Sequence, residues 1–590
     1  MFCIPILFYK LAFVGFILLN FTDLNGKGNF QKIFAREGTL FYEDGSKVNL
    51  FGINFQPSLS FEHAAYMENQ KVLMPLRSKD LKKTTDESFE EIELLGAELI
   101  RIHLAPSDFS DRDGNLVQNI WLDMLDYTIS QATNRGFYVY LTFINELAHE
   151  GTQFRPIADS FSTKPREDWI YDLETVRASK NFIRQLLNRN NPYSNTLYKE
   201  TESLALVEPI NEPAFIRFQK WSKKNPEKSR DDFSAYRYQA TLNYLNEMVD
   251  LFREEGLEIP VIWNANWPKN ISGKLDVYDA IADSKVDGIS FCNYPGQDQL
   301  KPPMWANTEN LDGTNFLPYL QSCYEEWNYL GYLKDSRFKK MVKVVYEYET
   351  ICQQTGYMYP AMAKLFRSLG VQIAAQWTYA LSSYFTHRGG THAFSLKGSP
   401  NKAASFMVAK QVFKKLPVGS AYLTTSPQDD RLSFAEWSFP ENHSHSNFEN
   451  ELIYSNGLSK DFSERAKDFD KIVGTGSSSL IEYSGNGLYF LEKEENESFR
   501  FTVYPDRFYI NPHWNELHTG EPVLELREKQ HSISLNRSLF PTDMKYKVLF
   551  KEGSIFKEIP VSVNSSSYKF EGSSGEYLIV TSEELKRSKL

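Results

Sequence analysis

The feature that most constrains the fold of this 590-residue chain is a regular alternation of short apolar runs with helical patterns between residues 45 and 417. Eight runs are rich in Val, Ile, Leu and aromatic residues, which is typical of parallel strands buried on both faces. The predicted strands are 48–55, 97–104, 137–144, 203–210, 259–265, 286–292, 342–347 and 371–379.

A helical pattern follows each run, and several of these patterns end at a glycine, a common C-cap residue. The predicted helices are 86–95, 121–134, 168–188, 231–255, 275–283, 315–330, 359–369 and 401–416. Eight successive strand–helix units predict a (β/α)8 barrel with long loops, formed by residues 29–417. A doubly wound sheet is the alternative, but the chain lacks a glycine-rich phosphate loop.

Beyond Pro417 the helical periodicity ends and short β-type runs appear between clusters of Gly, Asn, Ser and Pro. This pattern predicts an all-β sandwich domain over residues 418–590. The predicted strands are 431–439, 451–454, 487–491, 498–504, 531–535, 546–550, 558–563 and 577–580, with 474–479 as a turn-rich break. We expect this domain to cover the barrel, and carbohydrate binding is the alternative.

Residues 1–28 have the pattern of a secretory signal peptide. Lys10 precedes the apolar run 11–19, and a polar stretch follows. The run is shorter than the roughly 20 apolar residues that cross a bilayer as a helix. We therefore expect a secreted or periplasmic protein without an integral membrane domain, and an uncleaved anchor is the alternative.

Charge and cysteine content exclude several classes of protein. With 65 Lys+Arg and 76 Asp+Glu the net charge is −11, which disfavours nucleic acid as a partner. The four cysteines have no CxxC spacing, so a disulfide scaffold or a zinc ribbon is not expected. They are Cys3, Cys292, Cys323 and Cys352.

Two glutamates stand where a barrel enzyme carries its chemistry, at the carboxyl ends of strands. Glu212 follows the fourth predicted strand, and Glu347 ends the seventh, on the opposite side of the mouth. Cleavage of a glycosidic bond needs such a pair, because one carboxylic acid protonates the leaving oxygen while the other attacks the anomeric carbon or activates water.

Five sequence motifs stand at the predicted strands. They are 44–54 at the first strand, 96–101 at the second, Asn211-Glu212-Pro213 after the fourth, 345–348 at the seventh and 376–377 at the eighth. Together and in this order they resemble the motifs of clan A glycoside hydrolases, the cellulase and mannanase type, whereas a tripeptide such as Asn-Glu-Pro also occurs by chance.

The resemblance implies a retaining β-glycosidase acting on a glucan, mannan or galactan, without a metal or cofactor. By position, Glu212 would be the acid/base and Glu347 the nucleophile. Glu349 is a rival nucleophile, because strand alternation puts it on the same face as Glu347. In retaining enzymes the two carboxyl groups lie about 5–5.5 Å apart.

The resemblance also implies supporting roles. Asn211 would bind the sugar 2-hydroxyl, and Arg101 would lie near Glu347 and favour its ionised form. Tyr294 would donate a hydrogen bond to the nucleophile. Many relatives have a histidine just before this tyrosine, whereas Asn293 stands here.

Aromatic and histidine side chains near the predicted mouth are candidate sugar contacts, since pyranose faces pack on aromatic rings. Trp377, Trp263 and Trp267 are the expected substrate-binding tryptophans, and His103 could bind hydroxyl groups. Two other functions stay open: a non-catalytic carbohydrate-binding barrel, and a metal-dependent barrel hydrolase. The histidines lack metal-ligand spacing.

Overall fold

A computed structural model describes most of the chain and contains the predicted barrel. The described residues are 30–63, 78–145, 156–265, 275–296, 309–320, 333, 335–382, 384–387, 394–420, 428–510, 522–541 and 544–588. The eight barrel strands are β1 Leu50–Asn54, β2 Leu99–His103, β3 Tyr138–Ile144, β4 Leu204–Ile210, β5 Ile262–Asn264, β6 Gly288–Asn293, β7 Val342–Tyr348 and β8 Ile373–Gln376.

These strands form one closed parallel barrel in chain order. Neighbouring strands pair in parallel from β1 to β4 and from β5 to β8, and β8 pairs with β1. A parallel bridge between Val207 and Val261 closes the remaining gap beside β4 and β5. Nearly every strand residue is buried, which explains why the strands appear in the sequence as continuous apolar runs.

Helices surround the barrel close to their predicted positions. They are α1 Ser78–Leu95, α2 Ile120–Asn134, α3 Leu173–Leu187, α4 Arg230–Glu254, α5 Leu275–Ala282, α6 Met358–Ser368 and α7 Pro400–Lys415. The helix predicted at 315–330 lies mostly outside the described residues.

Two helices differ from the prediction by more than one or two residues. The predicted helix 168–188 is broken into Asp168–Tyr171 and α3, because the Asp172 side chain accepts from the backbone N–H of Thr175 and starts a new helix. Helix α1 begins at Ser78, eight residues before the predicted start at residue 86, and the Thr85 hydroxyl donates within this added part to the carbonyl of Leu81.

Short elements complete the barrel domain. Two hairpins are Ile33–Arg36 with Thr39–Tyr42, and Asn190–Asn191 with Thr196–Leu197. The short helices and helical turns are Pro106–Phe109, Phe161–Thr163, Tyr198–Glu200, Phe218–Ser222, Ser336–Lys339 and Phe385–His387.

The C-terminal domain contains two packed sheets, as expected for a sandwich. The large sheet has ten strands in the order Asp429–Arg431, Ala435–Ser438, His443–Phe448, Glu451–Ser455, Lys471–Thr475, Leu488–Lys493, Phe499–Val503, Gly575–Thr581, Tyr546–Glu552 and Ile555–Glu558. The small sheet has the order Ile481–Tyr483, His531–Asn536, Ser567–Gly572 and Ser562–Val563.

A separate hairpin joins Asp506–Tyr509 to Leu524–Arg527. The remaining helical segments of this domain are Ser463–Asp468, Glu495–Glu497, Arg537–Leu539 and Ser582–Ser588.

Several strand predictions in this domain are wrong. The expected break 474–479 begins inside the strand Lys471–Thr475, and the predicted strand 558–563 spans the gap between two strands of different sheets. The strand His443–Phe448 was not predicted, because it has almost no apolar residues although most of it is buried.

The large sheet has two apolar faces, and one of them packs on the barrel. Ile453, Val473 and Phe490 belong to the barrel core, whereas their neighbours Leu452 and Ile472 belong to the core between the two sheets. Helix α7 contacts the three strands of the large sheet that carry the barrel-side residues. This geometry agrees with a covering role for the C-terminal domain.

No helix among the described residues combines the length and the apolarity that are needed to cross a bilayer. Cys292 and Cys352 are buried, and Cys3 and Cys323 lie outside the described residues.

Candidate active site

Two carboxylates from opposite sides of the barrel meet at the carboxyl ends of the strands. Glu347 lies near the end of β7 and is only 5% exposed. Glu212 follows β4 with a φ of +45°, a left-handed conformation that a non-glycine residue rarely adopts, and its side chain is 31% exposed. Burial and the negative charges of Glu347 and Glu212 raise the pKa of the Tyr294 hydroxyl, so both carboxylates lie near this phenol.

Arg101, in the middle of β2, organises the floor of this centre. Its fully buried guanidinium donates to Glu347 Oε1 at 3.0 Å and to Glu208 Oε2 at 2.6 Å. It also donates to the side-chain carbonyls of Asn211 at 2.9 Å and Asn54 at 3.1 Å. The guanidinium therefore fixes the relative positions of four side chains that come from three strands, β1, β4 and β7, with Asn211 directly after β4.

Glu208 is a site residue that the sequence analysis missed. Besides Arg101, its carboxylate accepts hydrogen bonds from Tyr140 and Thr142, both at 2.9 Å, and from Ser290. The sequence did contain a signal for Glu208, which is a charged residue inside the predicted buried strand 203–210. A buried carboxylate needs a cation and several hydrogen-bond donors, so such a residue predicts a polar cluster around it.

Burial has the largest effect on the ionisation of Glu347. It raises the pKa of this carboxyl from 4.5 to about 8, and repulsion by Glu212 acts in the same direction. Arg101 and the Tyr294 hydroxyl, which donates to Glu347 Oε2 at 2.8 Å, lower the pKa. Arg101 thus lowers the pKa of Glu347, as expected. Its charge also interacts with Glu208, and its effect on the pKa is smaller than that of burial.

Glu349, the rival nucleophile, faces a different set of partners. Its fully buried carboxylate binds the Lys402 ammonium at 2.8 Å and the hydroxyl of Tyr359 at 2.8 Å. Gln376 donates to its other oxygen at 2.5 Å. The expectation that strand alternation puts Glu349 on the same face as Glu347 is wrong, because β7 ends at Tyr348 and Glu349 lies beyond the strand.

Glu212 is surrounded by two donors that the sequence analysis also missed. The Tyr346 hydroxyl donates to Glu212 Oε1 at 3.1 Å. Arg166, from the long loop after β3, has its Nη1 at 3.6 Å from Glu212 Oε2 and at 3.4 Å from the Glu212 carbonyl oxygen. Both groups hold the Glu212 carboxyl group in one orientation at the mouth of the barrel.

Two of the predicted sugar contacts, His103 and Trp377, form a stacked pair beside Glu347. The His103 ring stacks on the partly exposed Trp377, with centroids 5.0 Å apart, and its Nε2 lies 3.5 Å from Glu347 Oε1. Burial and the charge of Arg101 lower the pKa of His103, so the ring is neutral near pH 7. Asn145 joins this group, with its Nδ2 at 2.8 Å from His103 Nδ1 and its Oδ1 accepting from Asn211 at 3.4 Å.

Trp263 does not lie at the mouth, which corrects the expectation that it contacts sugar. It is fully buried in the barrel core and packs edge-on against Tyr244 of α4 at 6.1 Å. The next residue, Asn264, points inward and donates to Asn211 at 3.4 Å, so alternation turns Trp263 toward the helices. Trp267, the other tryptophan expected near β5, lies outside the described residues.

No set of three or more His, Cys, Asp or Glu side chains among the described residues is arranged to hold a metal ion. The donor groups near Glu347 and Glu212 are instead arranged as hydrogen-bond partners of the two carboxylates.

Comparisons with known proteins give similarity only to solved structures. No protein-family model and no curated protein sequence matches the chain. An endo-1,4-β-mannanase from Rhizomucor miehei is 13% identical, with a TM-score of 0.43 over 65% of this chain and 100% of that one. The endo-β-1,4-mannanase from Thermotoga petrophila is 12% identical, with a TM-score of 0.42 over 90% and 98%.

An endogalactoceramidase is 10% identical, with a TM-score of 0.37 over 93% of this chain and 100% of that one. These similarities are too remote to assign a family or an activity, so the function is inferred from the geometry of the site.

Proposed function

We propose that the protein is a retaining β-glycoside hydrolase that cleaves a β-linked poly- or oligosaccharide of glucan, mannan or galactan type. The observation that carries this proposal is the pairing of buried Glu347, held by Arg101 and Tyr294, with partly exposed Glu212 across the barrel mouth. Two carboxylates with different environments suit the two roles that glycosidic cleavage requires.

In the first step, ionised Glu347 attacks the anomeric carbon while protonated Glu212 gives its proton to the leaving oxygen. The glycosidic C–O bond breaks, and a covalent glycosyl-enzyme forms on Glu347. In the second step, Glu212 takes a proton from water, the oxygen of that water attacks the same carbon, and the bond to Glu347 breaks. Two displacements return the original anomeric configuration.

The surrounding residues support this sequence of steps. Tyr294 and Arg101 donate to the nucleophile and stabilise its charge before attack and after release. Tyr346 and Arg166 contact the Glu212 carboxyl group and hold its orientation through both steps. Asn211 is within the same network and is proposed to bind the 2-hydroxyl.

Trp377 and His103 are proposed to form the wall against which the sugar packs. Their stacked rings adjoin Glu347, and an apolar ring face beside polar ring nitrogens suits a pyranose. We also propose that the protein is secreted, because residues 11–19 have the length and composition of a signal-peptide core.

The decisive experiment is trapping of the covalent intermediate. An activated 2-deoxy-2-fluoro β-glycoside should inactivate the enzyme and leave one sugar on Glu347, which peptide mass spectrometry would locate. Glu347→Ala should abolish turnover, and added azide should yield a glycosyl azide of inverted, α configuration. In contrast, azide with Glu212→Ala should yield the β-glycosyl azide.

A matched comparison tests the acid role. Glu212→Ala should keep most of its kcat/KM, which reports the first step, on aryl glycosides with good leaving groups and lose much more on poor ones, since acid assistance then matters. Labelling of a residue other than Glu347, or full activity of Glu347→Ala, would contradict the proposed function.

A further inference from the structure

The buried charge pair behind the active site has no role in the proposed chemistry. Lys402 and Glu349 are both fully buried, and their charged groups lie 2.8 Å apart. The same carboxylate also accepts from the backbone N–H of Thr350 at 2.6 Å, from the Tyr359 hydroxyl and from Gln376. These four partners bind both oxygens of the carboxylate and therefore fix the position of Glu349.

This pair connects three segments near the site, the ends of β7 and β8 and the start of α7. Glu349 stands two residues after Glu347, and its partner Gln376 directly precedes Trp377. Lys402 lies in the first turn of α7 and also donates to the carbonyl of Thr350 at 3.0 Å. Lys402 therefore contacts the segment that follows Glu347 directly, and the residue before Trp377 through Glu349.

The C-terminal domain holds the same region from outside. The Thr475 hydroxyl donates to Asn401 Oδ1 at 2.6 Å, next to Lys402 at the start of α7. In the segment after β7, the backbone N–H of Gly356 donates to Asn442 Oδ1 at 3.0 Å, and Ser455 donates to the Gly356 carbonyl at 3.3 Å.

The contact at Gly356 is close enough to exclude any side chain. A Cβ at this position would collide with the Ser455 side chain of the C-terminal domain. The two domains thus meet without a gap at the segment that continues from the strand of Glu347.

Stability alone does not explain a buried ion pair. Desolvation of two charges offsets much of their attraction, and apolar residues of similar volume often stabilise a fold equally well. A charge pair does fix a geometry, because only one arrangement satisfies both groups. We propose that the Lys402–Glu349 pair is a positioning device, through which the C-terminal domain holds Glu347 and Trp377 in their working positions.

This inference rests on the proposed function, since it assigns Glu347 as the nucleophile. It identifies Lys402, Glu349, Thr475 and Asn442 as positioning residues that act through other groups. It also gives the C-terminal domain a part in catalysis that requires no contact with substrate.

The first test uses mild interface variants of the full chain. Thr475→Val removes the bond to Asn401 together with the one that the Thr475 hydroxyl accepts from the backbone N–H of Asn456, and Asn442→Ala removes the bond to Gly356. We expect kcat to fall about 5-fold in each variant, with a smaller change in KM, because a bond worth about 1 kcal/mol is lost at a positioning contact. The matched control is Gln411→Ala, which removes the 2.7 Å bond from α7 to Glu451 of the large sheet, far along the helix from Lys402.

The control should keep kcat within 2-fold of the wild-type value. Melting temperatures of all three variants must lie well above the assay temperature, so that only folded enzyme is compared. Equal kcat values in the control and in the two variants would overturn the inference.

The second test separates positioning from folding. Lys402→Met leaves a buried carboxylate unpaired and should destabilise the fold strongly. The double variant Lys402→Met with Glu349→Gln removes both charges and should recover the melting temperature, yet its rate of labelling by the fluoro-glycoside should stay at least 10-fold below wild type. Recovery of both quantities would show a purely structural pair.

The two hypotheses fail in distinguishable ways. If Glu347→Ala stays active, the proposed function is wrong. If Glu347→Ala is inactive but the interface and double variants turn over substrate at the wild-type rate, only the positioning role is wrong.

Discussion

The pH dependence of kcat/KM follows directly from the burial of Glu347. The nucleophile must be ionised, and burial raises its pKa from 4.5 to about 8. At pH 8 about half of the molecules carry the ionised form, whereas two units lower about 1% do, since each unit changes the ratio tenfold. Lowering the pH from 8 to 6 should therefore reduce kcat/KM about 50-fold.

The assay uses a 2,4-dinitrophenyl β-glycoside at concentrations far below KM. With this leaving group the protonation of Glu212 does not limit the rate, so the acidic limb of the profile reports the nucleophile. Samples returned to pH 8 after each measurement control for irreversible unfolding. A carboxyl with an ordinary pKa of 4.5 would leave kcat/KM almost constant between pH 6 and 8, and that result would refute the argument from burial.

The same profile measured on Glu212→Gln identifies the group. Repulsion by Glu212 contributes to the raised pKa of Glu347, so removal of this charge should move the acidic limb to lower pH. An unchanged limb would mean that another group controls it.

Three further predictions concern single side chains. Tyr294→Phe removes the 2.8 Å donor to Glu347, so the acidic limb should move to higher pH and kcat/KM at pH 7 should fall about 10- to 100-fold, as measured with the same glycoside. The raised pKa of Glu347 makes its contribution to folding most favourable below pH 4.5, and that contribution is lost as the pH rises through about 8. The unfolding free energy of Glu347→Gln minus that of wild type should therefore increase as the pH is raised from 5 to 8.5, by up to roughly 5 kcal/mol, in chemical denaturation at each pH. A difference that does not change with pH would contradict this prediction. Trp263→Ala should cost about 3–5 kcal/mol of unfolding free energy in urea denaturation while KM stays within 2-fold of wild type, because the ring fills the core and does not face the mouth; a large rise in KM would return Trp263 to the sugar site.

The barrel could be predicted because its strands are buried on both faces. Such strands must be apolar along their whole length, so the eight runs stand out, and their order fixes the topology once each is followed by a helix. The strand ends then locate Glu212, Glu347 and His103 without knowledge of the loops, and Arg101 lies two residues before the end of β2.

Residues that depend on loop paths or on partner strands could not be predicted in the same way. Arg166 reaches Glu212 from a long insertion whose path has no periodic signal. Glu349 leaves the inward face because its strand ends one residue earlier, and Lys402 becomes its partner from a helix 53 residues later in the sequence. In the sandwich, the strand His443–Phe448 is buried through hydrogen bonds between polar groups, so an apolar pattern could not reveal it.

The large sheet, with one face on α7 and the other on the small sheet, has a consequence for the history and engineering of this chain. If the polypeptide were cut after Pro417, Ile453, Val473 and Phe490 would become exposed to solvent. The face of α7 that they cover would be exposed as well. Both fragments would then be prone to aggregation. Barrel and sandwich should melt in one cooperative transition and be inherited together, unlike a tethered module that can be exchanged at a linker.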